Sequence, residues 1–395
     1  MAEKLRIVVC GYIGLFPAGG AVWDYIQYVM GFAGMGHDVY YIEDTGTWPS
    51  FVPEGEPGDG RFNIAYLTKA MEDLGLGDRW AYRDPATLGW FGLPEAQVVR
   101  IMRSADIFIS ISCSAALREE WIDIPVRIVI DSDPMFTQMQ LTGDDGFTKG
   151  ARGLKAKLAA YTHHFTFGEN IGADDCLVPQ CGIDWIPTRQ PIALDRWDSD
   201  PPGAGLPFST VMNWSALPPL EFHGETYGQK DSEFGLVIDV PAHCPNRSFD
   251  LAVNGQDKPG FPTERIAAAG WRLLDPAKTV PDAQSYHDFI LQSAGEISVA
   301  KHAYVASRSG WFSCRTACYL AASRPAVVQD TGWSRYVPPG DGLYAFSTRE
   351  EAIEHTRRIG SDLPRHARAA RALAHEHFDA SLVLSQMIER ARVHA

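Results

Sequence analysis

Arg6-Ile7-Val8-Val9-Cys10-Gly11-Tyr12 is an apolar, largely β-branched run, the pattern of a strand buried on both faces of a parallel sheet. Behind it come the turn-rich loop Ile13-Gly14-Leu15-Phe16-Pro17-Ala18-Gly19-Gly20 and then Ala21 to Met35, whose apolar residues recur at helical spacing. Gly36-His37-Asp38 stops that helix, and Val39 to Ile42 is extended again. Strand, glycine loop, helix and strand make a βαβ unit, so the chain is read as α/β. Gly19 and Gly20, at the helix start, either bring backbone N–H groups close to an anion or acceptor, or simply turn the chain. The spacing of Gly11, Gly14, Gly19 and Gly20 does not match G-x-G-x-x-G, which removes the main support for a nicotinamide enzyme.

The same alternation continues. Helical patterns lie near Ile64 to Leu74 and Pro94 to Arg103, and extended ones at Asp106 to Ser112, Val126 to Ile130 and Phe165 to Phe167. The proline- and glycine-rich stretch around residues 186–207 marks a boundary. Beyond it, strands are expected at Phe208 to Met212, Phe249 to Val253, Trp271 to Leu274, Gly295 to Val299 and Ala326 to Gln329, with a clear helix at Cys314 to Ala322. The expected architecture is two facing Rossmann-like domains, residues 1–193 and 194–378, with a cleft between them and a closing helix in 379–395.

The bulk properties agree with this. A chain of 395 residues exceeds what one core usually supports, and 45% hydrophobic with 21% charged residues suits two globular domains. A formal net charge of −14 argues against a nucleic-acid backbone or an anionic membrane as partner and favours a small-molecule acceptor. Seven cysteines without a C-x-x-C pair read as reduced thiols, not a zinc site. The opening residues run directly into a strand and no apolar run reaches membrane-spanning length, so the expected compartment is cytoplasmic.

The richest chemistry lies between Tyr286 and Gly342. Ser309-Gly310-Trp311-Phe312-Ser313 precedes the Cys314 helix, with Arg315 in its first turn. A diphosphate is satisfied by free N–H groups at a helix start, by hydroxyls and by cations, and Ser309, Gly310, Ser313 and Arg315 offer these, with Lys230 and Lys301 as further cations. Trp311 and Phe312 also read as core, and Ser313 as a plain helix cap. Asp330-Thr331-Gly332, at a strand end, suits sugar hydroxyls. In the first half, Asp131 and Asp133 close the strand at Val126, where carboxylates act as general bases or bind hydroxyls; Asp133 reads equally as a helix cap. The tail is rich in histidine (His355, His366, His375, His377), but His375 and His377, two apart, diverge on a helix, so a solvated or core role is expected rather than a metal site.

On these residues the chain resembles the GT-B glycosyltransferases, of the NDP-sugar-dependent kind grouped as glycosyltransferase families 1 and 4: the glycine loop ending in Gly19-Gly20, Gly36-His37-Asp38-Val39, Gln229-Lys230-Asp231, and Ser309 to Gly342. The resemblance implies a hexosyl transfer from a nucleotide-diphosphate sugar, UDP or dTDP, to an acceptor hydroxyl, with no metal and no cofactor. It places the donor phosphates on Ser309, Gly310, Ser313, Arg315 and Lys230, the sugar on Asp330, Thr331 and Gly332, and the nucleobase near Leu274 and Asp275. The chain lacks the E-x7-E pattern of retaining members and the histidine many inverting members carry after the first strand, which leaves the stereochemistry open. For an inverting reaction the base candidates, in order, are Asp24, Asp131 and Asp133. Two other readings use the same pocket: a nucleotide-sugar epimerase or hydrolase, and a non-catalytic nucleotide-sugar-binding protein.

Overall fold

The computed structural model describes residues 4–48, 59–144, 148–203, 205–216 and 218–393. Residues 49–58, most of a proline- and glycine-rich stretch from Pro49 to Gly60, therefore lie outside the described residues.

The first sheet holds β1 (Arg6–Cys10), β2 (Asp38–Glu43), β3 (Trp80–Arg83), β4 (Trp90–Gly92), β5 (Ile107–Ile111), β6 (Val126–Asp131), β7 (His163–Thr166) and β8 (Trp185–Pro187). Their order is β4-β3-β2-β1-β5-β6-β7-β8, and every neighbouring pair is parallel except β3 with β4. A short antiparallel hairpin, β9 (Leu220–Phe222) with β10 (Glu225–Tyr227), stands apart. The second sheet begins before it in sequence, at β11 (Phe208–Asn213), and continues through β12 (Phe249–Asn254), β13 (Trp271–Leu274), β14 (Gly295–Ser298), β15 (Ala326–Gln329) and β16 (Leu343–Phe346). It is wholly parallel, in the order β13-β12-β11-β14-β15-β16. Renumbered within its own domain that order is 3-2-1-4-5-6, the dinucleotide-fold arrangement, and the parallel strands of the first sheet start the same way.

Helices cover the faces, which is why the strands read as continuous apolar runs: every residue of β5, and all of β1 after Arg6, is buried. The helix Gly19–Gly34 begins two residues before the expected start. His163 and His164 lie within β7 rather than ahead of it. β3, β4, β8, the hairpin and β16 have no counterpart in the sequence reading, nor do the helices Phe136–Thr142 and Thr148–Ala159.

The main apolar core is shared by the two halves. It joins Ile26 and Phe32 of the first helix to Trp197, Tyr286 and Phe312, and to Leu384 of the closing helix Ala380–Val393. That closing helix packs back on Gly19–Gly34, so the chain ends against the domain in which it began. Trp197 carries the crossover: its ring lies 4.7 Å from Trp23 and 4.9 Å from His287, one in each half. No helix among the described residues is long and apolar enough to cross a membrane.

Candidate active site

The strand order reverses between β1 and β5 in one sheet and between β11 and β14 in the other, and open α/β sheets bind ligands outside the carboxyl ends of strands at such points. Residues leaving these strand ends meet across the domain boundary. Lys301, three residues past β14, places Nζ 2.5 Å from Oδ1 of Asp133, and the Tyr304 hydroxyl donates to the same oxygen. Trp311 leans on Tyr304, ring centroids 4.6 Å apart, and its indole N–H donates to the Ser132 carbonyl at 3.2 Å.

Arg315 stands in the first turn of the helix Cys314–Ala321. Its Nε donates to Glu296 Oε1 of β14 at 2.6 Å and Nη1 to the Val211 carbonyl of β11 at 2.6 Å, so the guanidinium spans the two central strands. Lys230 is half-buried, and its ammonium makes no hydrogen bond or ion pair among the described residues. Burial first, then repulsion from Arg315 and Lys301, holds this amine well below its usual range. Three cations thus crowd one place. Ser313 precedes the helix with a hydroxyl that caps nothing, and Thr316, fully buried in the first turn, has a hydroxyl without a partner. Ser313, Arg315 and Thr316 line one crevice with Ser298, Ala300 and Trp311.

Asp24 enters from the first helix and faces Cys314 and Arg315. Burial raises its carboxyl from 3.8 to about 7, with Arg315 and the Cys314 thiol pulling the other way. Asp131 is 1% exposed and saturated: it accepts from Thr137 Oγ1 (2.6 Å), Gln138 Nε2 (2.8 Å), Thr166 Oγ1 (2.9 Å) and the Asp133 N–H (3.2 Å). Both its oxygens fasten the turn after β6, which leaves it no lone pair directed at a substrate.

The other candidates are engaged elsewhere. Ser309 is fully buried and donates to the Tyr304 carbonyl, while the Gly310 N–H donates to the Thr331 carbonyl at 2.8 Å. Gly310 has φ +79°, and a Cβ there would lie 2.4 Å from the Asn170 nitrogen, so the glycine is required by close contact with the first domain. Asp330 accepts from the Gly332 N–H and the Ser334 hydroxyl, both at 2.8 Å, and Thr331 Oγ1 donates to the Trp311 carbonyl at 2.6 Å. None of these five residues lines the crevice; their hydrogen bonds hold the segments that carry Trp311 and Trp333, which do. Leu274 and Asp275 end β13, an edge strand two places from the reversal. Asp275 caps the helix Pro276–Thr279 through the Ala277 N–H at 3.0 Å, and the Leu274 carbonyl accepts from Gln256. Gly19 meets protein, not anion: an added Cβ would fall 2.2 Å from the Asp282 carbonyl oxygen, and one on Gly20 would press on the Tyr286 ring.

Glu43, Glu296 and Tyr304 were missed. Glu43 ends β2, accepts from the Gly14 and Leu15 N–H groups at 2.9 and 2.8 Å, and so pins the first loop; burial raises its carboxyl to about 7. A glutamate inside an apolar strand, as in Gly295–Ser298, is the available signal, because a buried carboxylate demands a partner. Among the described residues no group of three or more His, Cys, Asp or Glu side chains is placed to hold a metal ion. The described cysteines are all free thiols.

No family model and no curated protein sequence matches the chain. Solved structures do. An α-glucosyltransferase in complex with UDP and a 13-mer DNA is 11% identical with a TM-score of 0.57, over 99% of this chain and 100% of that one. HepE of Anabaena in complex with UDP-glucose is 13% identical with a TM-score of 0.57, over 99% and 100%. AviGT4, a glycosyltransferase involved in avilamycin A biosynthesis, is 12% identical with a TM-score of 0.55, over 98% and 97%. Two Rossmann-like domains facing across a cleft, matched end to end in these enzymes, give the chain the GT-B fold of the glycosyltransferases.

Proposed function

We propose that the protein is a glycosyltransferase that moves a hexosyl group from a nucleotide-diphosphate sugar, UDP- or dTDP-linked, to a hydroxyl of a small-molecule acceptor. The observation that carries this reading is the convergence of Lys230, Lys301 and Arg315 beside the open hydroxyl of Ser313, at the reversal of the second sheet. Like charges crowd together at a cost, and an incoming diphosphate reverses that cost. Fixed cations also stabilise the diphosphate as it leaves, which is where charge develops in glycosyl transfer. In this reading that role needs no metal ion.

Asp24 is the group proposed to take the acceptor proton if the reaction inverts. It belongs to the first domain yet faces Arg315, and a carboxyl titrating near 7 is matched to base work at neutral pH. A small acceptor is proposed because the net charge of −14 opposes a phosphate backbone.

A thermal-shift screen with UDP, dTDP, GDP and ADP tests the reading. Ligand at about 100 times its Kd stabilises the native state by about 2.7 kcal/mol, and at the same concentration the gain should shrink to about 0.4–1.4 kcal/mol in Lys230→Ala. If no nucleoside diphosphate raises the melting temperature, the donor site is not where we place it and the reading fails. Turnover of a UDP-sugar without acceptor would convert it into a hydrolase or epimerase.

A further inference from the structure

Asp133 belongs to the first domain, and both groups that hold it, Lys301 and Tyr304, belong to the second. It is the sole carboxylate paired with Lys301 among the described residues. The pair is open to exchange: the Asp133 side chain is 49% exposed and that of Lys301 25%. Around it the charges do not balance. Lys230, Lys301 and Arg315 are three basic groups, while Glu296 is fully buried and committed to Arg315, and Lys230 makes no ion pair among the described residues. Lys301 is also fixed in place, its ammonium 5.0 Å from the Phe136 ring centroid and 5.2 Å from that of Tyr304, so it can change anions without changing position.

We propose that Asp133 is a stand-in for the donor phosphate: its carboxylate holds Lys301 and Tyr304, and an incoming diphosphate displaces it. The inference rests on the glycosyltransferase reading, since it concerns the donor site of that reaction. Displacement has a second effect. The freed carboxylate remains on the first domain, next to Ser132, whose hydroxyl donates to that of Ser112 at 2.7 Å, and it becomes available to an acceptor hydroxyl only after the donor has bound. Donor binding before acceptor binding follows from this exchange. Asp133 is thus a positioning residue, spending its charge on Lys301 until the donor arrives.

The test is calorimetric binding of UDP and of inorganic pyrophosphate to wild type, Asp133→Asn and Lys301→Met. A competing ion pair of this exposure is worth a factor of about two to five, so Asp133→Asn should bind both probes two- to fivefold more tightly, whereas Lys301→Met should bind them more weakly. Asp133→Ala, which removes the carboxylate altogether and leaves Lys301 and Tyr304 in place, serves as a second variant should Asp133→Asn fail to fold, and it should tighten pyrophosphate likewise. A merely structural Asp133 predicts no gain in affinity. UDP binding that is equal or weaker in both Asp133→Asn and Asp133→Ala overturns the stand-in and leaves the glycosyltransferase reading intact. If neither probe binds wild type or any variant, both are overturned.

Discussion

Asparagine in place of Asp24 removes a carboxyl that burial lifts from 3.8 to about 7. Because the folded pKa is the higher one, the native state binds more protons than the unfolded chain between pH 4 and 7, and stability must fall as pH rises through that window. At 1.36 kcal/mol per tenfold, the displacement corresponds to about 4 kcal/mol of native stability present below pH 4 and lost above pH 7. Glu43 titrates in the same window, so the quantity to measure is the difference between variant and wild type. Urea unfolding at pH 4, 6 and 8 should show Asp24→Asn gaining on wild type by up to about 4 kcal/mol over that range. Activity should move the opposite way: loss of a general base costs about 100- to 10,000-fold in kcat/KM, and the acidic limb of the wild-type pH profile, centred near 7, should disappear. Full activity with an unchanged limb removes Asp24 from the mechanism. A stability difference that does not vary with pH would refute the burial argument independently of catalysis.

Lys230→Ala should weaken UDP binding about 10- to 100-fold by titration calorimetry, the scale of a lost charge-assisted hydrogen bond, while stability stays level or rises because the amine has no partner among the described residues; a large loss of stability would show it to be structural. Glu296→Gln strips the buried counter-charge from Arg315 and should cost about 3–5 kcal/mol in urea unfolding; a change below about 1 kcal/mol would mean that Arg315 is held by the Val211 carbonyl instead. Gly19→Ala drives a Cβ to 2.2 Å of the Asp282 carbonyl and should destabilise by about 1–3 kcal/mol, whereas Gly34→Ala, with open space around it, should not; equal effects would deny that the two halves touch there. Arg335→Ala breaks the two 2.7 Å bonds to Asp175 that tie the second domain to the first, and should raise hydrogen exchange around 168–176 with a loss of under about 1 kcal/mol, because the pair is half-exposed; unchanged exchange would show that the β-bridge between Gly168 and Trp311 suffices.

Residues 6–42 were readable because each element there is stated by its own composition: a β-branched run, a glycine loop and a helix whose stop residues follow it. The same holds for Trp271–Leu274 and Ala326–Gln329, found at the residues expected. β3 and β16 were not readable, since Trp-Ala-Tyr-Arg and Leu-Tyr-Ala-Phe owe their extended form to the neighbour they pair with. The site divides along the same line. Ser313 and Arg315 could be named from sequence because a hydroxyl and a cation at a helix start suit an anion, and Lys230 and Lys301 were added as further cations on residue type alone. Ser309, Gly310 and Asp330 to Gly332 fit that pattern equally well, yet their hydrogen bonds run to Tyr304, Thr331 and Trp311, choices that depend on where the first domain presses. Asp24 and Asp133 show the converse. Sequence names both as base candidates but cannot say what either faces; Arg315 in one case and Lys301 in the other supply that, from more than 160 residues away. A cleft between two domains is the place where sequence-local reasoning has least purchase, because each of its walls is written in a different half of the chain.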